Sequence, residues 1–149
     1  MTAVANTTAD SDDASAAEAF QRDGVVHLKG AFADWVDTLR AGVEHNMQTP
    51  GPYTREYEPD GSKGYFFGDY CNWARVPEYR NFVLNSHAAS LAARLMDSTT
   101  VRFFHEHVLV KEPRTESRTP WHHDLPYYCI DGTASNAVQK LTHCVPSMQ

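Results

Sequence analysis

The stretch Thr119-Pro120-Trp121-His122-His123-Asp124-Leu125-Pro126-Tyr127 constrains this chain more than any other. A His and an Asp two places apart are two of the three protein ligands of a facial two-His-one-carboxylate site, which leaves positions open on non-haem Fe(II). They reach one metal only from extended backbone, because residues i and i+2 of a strand project to the same side. A fold that uses His122 and Asp124 together therefore needs a strand here, with His123 facing away. A His-x-Asp triplet also arises by chance, so its surroundings carry the weight.

A chain of 149 residues is one domain or part of one. Its formal charge of −6 argues against binding nucleic acid through phosphates, and Arg102, Arg114 and Arg118 lie scattered among acids. No apolar run approaches the roughly 20 residues of a membrane helix. The N-terminus has no basic region followed by an apolar one, so no secretory leader is expected and the cytoplasm is the expected location. Cys71, Cys129 and Cys144 are odd in number and form no closely spaced pair, so neither a disulfide framework nor a zinc knuckle is implied.

Residues 1–14 are mostly Thr, Ala, Ser and Asp, a composition that predicts a disordered tail. Ser15-Ala16-Ala17-Glu18 reads as a capping box opening a helix that Gly24 closes. Val25 to Lys29 predicts a strand. Trp35, Val36, Leu39, Val43 and Met47 recur at helical spacing, so a helix is expected from about Asp34 to Gln48, stopped by Pro50-Gly51-Pro52. Tyr53 to Gly64 reads as a polar loop, Tyr65 to Tyr70 as a strand, and Pro77 as a helix start. Asn85 or Ser86 caps a further helix through Met96. Thr99 to Lys111 is a strand candidate, with Val101, Phe103, His105, His107, Leu109 and Lys111 on one face. Helices come first and strands later, so the expected class is α+β.

Three stretches together resemble the phytanoyl-CoA dioxygenase family. They are Phe20-Gln21-Arg22-Asp23-Gly24-Val25-Val26-His27-Leu28, the run from Val101 to Pro113, and Thr119 to Tyr128. The resemblance extends from about Ala19 to Gly132, giving an expected family portion of 15–132 and a divergent tail of 133–149. It implies an Fe(II)- and 2-oxoglutarate-dependent oxygenase on a double-stranded β-helix (jelly-roll or cupin-like), here incomplete and flanked by N-terminal helices. His122 and Asp124 are the implied iron ligands and His107 the implied contact to 2-oxoglutarate; Lys111 either supplies charge to such an anionic ligand or is solvated at the strand end. A small organic substrate and dioxygen are the implied partners, and a carboxylate at Asp124 implies hydroxylation rather than halogenation.

The chain departs from the family pattern in two places. His123 stands where Gln is usual, and the sequence after Gly132 shows neither the distal His nor the Arg expected there. His143 lies too near Asp124 to return on a partner strand; His105 and His107 are nearer candidates for a third ligand. His107 otherwise packs among aromatics, and Tyr127 and Tyr128 either line a pocket or cover the core. The expectation is a truncated dioxygenase that binds iron weakly, turns over little, and is prone to self-association through unpaired strand edges. The competing readings are an inactive remnant or interaction piece, and a zinc module built on His105, His107, His122 and Asp124.

Overall fold

The computed structural model describes residues 7–57, 64–115 and 118–122, with side chains from residue 15 onward. The first helix, α1, spans Thr7–Asp23. It begins ahead of Ser15, where the capping box predicts a helix start. Gly24 ends α1 as expected: at φ +72° its amide donates to the Phe20 carbonyl at 2.8 Å.

Among the described residues, 7–28 and 90–101 form one compact unit. Ala16 and Phe20, one turn apart on α1, are buried with Leu95, and Val26, Leu28 and Leu91 pack against them. The Gln21 side chain donates to the Leu95 carbonyl at 2.7 Å. Val25–Lys29 is not a strand. It alternates as one, with Val26 and Leu28 turned inward and Val25 exposed, but no neighbouring strand pairs with it among the described residues.

The second unit begins at residue 29. A 3-10 turn at Ala33–Trp35 leads into α2, Val36–Gln48. Thr49 closes α2, its amide and hydroxyl both donating to the His45 carbonyl. Strands β1 (Arg55–Glu56) and β2 (Phe66–Tyr70) follow, then α3, Pro77–Asn85, with proline in its first turn. Helix α4 spans Ala88–Leu95, and the Ser86 hydroxyl accepts from the Ala88 amide at its start. Strand β3 is His107–Lys111.

The sheet is antiparallel in the order β1-β2-β3, so the class is α+β with a small three-stranded sheet. The expected strand from Thr99 shortens to five residues for a local reason. The ladder ends at the pair Tyr70↔His107, because Cys71 turns away at φ +62° and leaves Val101–Glu106 without a partner strand among the described residues. Helices α2 and α3 meet closely at Gly42, where a Cβ would lie 2.6 Å from Cε1 of buried Tyr79. Phe32, Trp35 and Phe82 add an aromatic cluster, with ring centroids 5.3 and 5.4 Å apart.

Candidate functional site

Strand register sorts the side chains of the sheet onto two faces. Tyr70 lies opposite His107, Gly68 opposite both Leu109 and Arg55, and Phe66 opposite Lys111; these share one face. Phe67 and Asp69, opposite Val110 and Val108, share the other. The two faces differ in burial. Phe67 and Asp69 are fully buried, whereas His107, Leu109 and Lys111 are exposed.

The exposed face gathers two of the implied site residues. His107 sets its ring edge against Tyr70 at 5.6 Å, and His105 does the same at 6.1 Å, so the two imidazoles flank one tyrosine. Tyr53 stacks on the same ring at 4.9 Å. Lys111 holds its ammonium 4.4 Å from the Phe66 ring centre and donates to the Thr119 hydroxyl at 3.3 Å. His105 and His107 thus pack against an aromatic ring, the reading weighed for His107 alongside a ligand contact.

His122 is exposed, and its Nδ1 lies 2.8 Å from the Pro120 carbonyl oxygen. A carbonyl only accepts, so this contact puts the proton on Nδ1 and the lone pair of the neutral ring on Nε2. Metal-binding histidines characteristically give their second N–H to such an acceptor, and His122 therefore fits a ligand role. Asp124, His123 and His143 lie outside the described residues. Among the described residues, no three His, Cys, Asp or Glu side chains form a metal-holding group, so His105, His107 and His122 do not meet as one.

The buried face carries a polar network that the sequence did not announce. Asp69 Oδ2 accepts from Asn46 Nδ2 at 2.8 Å, the Gly51 amide at 2.7 Å and the Thr54 hydroxyl at 2.8 Å. Its Oδ1 accepts from the Tyr70 amide at 2.9 Å. Burial alone would raise the pKa of Asp69, but donation from Gly51, Asn72, Asn46 and Thr54 brings it down to about 2. Asp69 is therefore a permanent anion that ties α2, the following loop and β2 together.

Glu106 performs a similar task at the neighbouring corner. Its carboxylate accepts from the amides of Asn72 and Trp73, and its own carbonyl accepts from Cys71 N at 3.3 Å. Buried Asn72 accepts at Oδ1 from Arg75 Nε and Nη2, and its side chain packs directly on Gly51, where a Cβ would collide with it. These carboxylates face donors throughout, so they fix backbone rather than await a cation. Burial first, then the Glu106 and Asp69 charges, raise the Tyr79 hydroxyl above its ordinary pKa, so it stays protonated. The same causes raise the Cys71 thiol, which makes it a poor nucleophile. No local pattern marks these residues; Asn46, Gly51, Thr54, Asp69 and Glu106 are legible as a group only once the helices and sheet are assembled.

No helix among the described residues is long and apolar enough to cross a membrane. No curated protein and no solved structure matches this chain. A family model described as phytanoyl-CoA dioxygenase matches residues 20–145, a span that includes all three resembling stretches and runs past Gly132. That family has a cupin or jelly-roll fold and, at family level, Fe(II)- and 2-oxoglutarate-type dioxygenase chemistry. With most of its length matched, this chain belongs to the phytanoyl-CoA dioxygenase family.

Proposed function

We propose that this protein is an Fe(II)- and 2-oxoglutarate-dependent dioxygenase that hydroxylates a small organic substrate, with His122 and Asp124 as ligands of the iron. The observation that supports the reading is the His122 Nδ1 contact to Pro120 O, which puts the proton on Nδ1 and the lone pair of the neutral ring on Nε2 in a residue of the family's His-x-Asp motif. When bound, Fe(II) would supply open positions at which 2-oxoglutarate and dioxygen are activated for C–H hydroxylation.

The chain's own part is binding and orientation. His107 and Lys111 share the exposed sheet face, and we assign them to 2-oxoglutarate. Lys111 is steadied by the Phe66 ring and Thr119, so its ammonium is placed before an anion arrives. A charge-assisted bond from it to a carboxylate would contribute about 1.5–3 kcal/mol. The double-stranded β-helix belongs to this proposal as the wider scaffold of that face.

The test is anaerobic loading of the full chain with Fe(II) and 2-oxoglutarate, followed by oxygen. Wild-type protein is expected to show the visible absorption of chelated 2-oxoglutarate and then to release succinate; His122→Ala and Asp124→Ala lose both. Succinate formation that survives Asp124→Ala, or that is absent from wild type at saturating iron, overturns the reading.

A further inference from the structure

Charge is divided between the two faces of the sheet in a way the overall balance hides. The chain carries a formal charge of −6, yet by register the sheet's acids, Glu56 and Asp69, share the face of Phe67, Glu56 exposed at the β1 edge and Asp69 buried in β2. Glu106, just ahead of β3, is turned to the β2–α3 corner. The exposed face carries Arg55 and Lys111 at its strands and His105 and His107 against Tyr70. Cations on one side and carboxylates on the other select an anion for the open side.

The middle row of that face is built differently from its ends. Arg55, Gly68 and Leu109 lie side by side across the three strands. Gly68 has no side chain, and the Tyr57 ring leans into the space: a Cβ on Gly68 would lie 2.5 Å from Tyr57 Cε2 and 3.2 Å from Leu109 Cδ2. Tyr57 is 40% and Leu109 51% exposed, so an apolar strip lies open next to a guanidinium. Arg55 is exposed and makes no ion pair among the described residues.

We propose that this row is the subsite for the primary substrate, and that the substrate is an organic anion with a flat or apolar body. Its charged head meets Arg55, whose planar fork suits a carboxylate or phosphate, and its body lies along Tyr57 and Leu109. Calling this ligand the substrate rests on the dioxygenase reading; the binding itself does not. The subsite is separate from Lys111, one row along the sheet, which serves the cosubstrate.

The experiment uses the full chain without iron, phenylacetate as probe, and amide chemical shifts as readout. Phenylacetate is expected to shift the amides of Arg55, Gly68 and Leu109, and neutral phenylacetamide to bind roughly tenfold more weakly or worse, the scale of one lost charge-assisted bond. Arg55→Gln should weaken phenylacetate by a similar factor. Gly68→Ala should weaken both probes by displacing Tyr57, while Lys111→Gln weakens 2-oxoglutarate and spares phenylacetate. Equal binding of the two probes, unchanged binding by Arg55→Gln, or no shifts in these strands overturns the proposal. Failure of the dioxygenase reading would appear separately, as absent succinate with phenylacetate binding intact.

Discussion

Asp69 is the residue whose surroundings most shape this molecule's response to acid. Four donors meet its carboxylate in a fully buried setting, and its pKa falls from 3.8 to about 2. A carboxyl with a lower pKa in the folded state adds stability that is complete above its unfolded value and disappears as pH falls through the folded value. The contribution is about 2 kcal/mol, at roughly 1.4 kcal/mol per pKa unit. It is present above about pH 4 and lost between there and about pH 2. Asp69→Asn places an N–H against donors and is expected to lower stability by about 2–4 kcal/mol at neutral pH. Denaturant midpoints measured from pH 5 to pH 2 should fall less steeply in the variant than in wild type; parallel slopes would contradict this account.

Beyond the ladder that pairs β2 with β3, the entry to β3 is tied to the start of the β2–α3 corner. Glu106, at the entry to β3, holds the amides of Asn72 and Trp73 at the corner between β2 and α3. Glu106→Ala leaves those amides unpaired and is expected to cost about 1.5–3 kcal/mol, with faster hydrogen exchange at Asn72 and Trp73 as the specific sign. Exchange at those two positions equal to wild type would remove the clamp from the argument. Helices α2 and α3 depend instead on an absent side chain. In Gly42→Ala the gain in helix propensity, roughly 1 kcal/mol, meets a Cβ 2.6 Å from Tyr79 Cε1 and 3.0 Å from Glu78 Cβ. Overpacking of this kind costs about 1–3 kcal/mol, and Tyr79 is too buried to swing aside, so a lower melting temperature is expected.

At the scale of the whole molecule, the readable parts were those whose signal is local. Gly24 and Pro77 mark helix ends through backbone constraints that act within a few residues, and the alternation of His107, Leu109 and Lys111 survives as one face of β3. Val25–Lys29 shows why alternation alone falls short: it specifies an extended segment but not a partner strand. Helix α1 begins at Thr7, a start that the capping box at Ser15 does not mark. The Asp69 network draws on residues from position 46 to position 72, and the Glu106 clamp spans 34 positions, so neither leaves a local signature. Of the proposed metal centre, the motif is legible in the sequence and the tautomer of His122 is not, because that depends on where Pro120 turns its carbonyl.

Metal binding should be visible in the stability of the whole chain. A ligand that binds only the folded state stabilises it by an amount set by its free concentration over Kd, about 2.7 kcal/mol at a hundredfold excess. For a chain of this length that corresponds to a rise of roughly 5–10 °C in melting temperature. Anaerobic Fe(II) should therefore raise the melting temperature of wild type with a logarithmic dependence on concentration. His122→Ala, which removes no group from the Asp69 or Glu106 networks among the described residues, and Asp124→Ala should both melt with no metal response. His107→Ala separates two readings of that residue: an iron response retained at full size assigns His107 to the cosubstrate, whereas its loss makes His107 the third ligand. A metal response that persists in Asp124→Ala would place the iron elsewhere and remove the His-x-Asp motif from the centre of the reading.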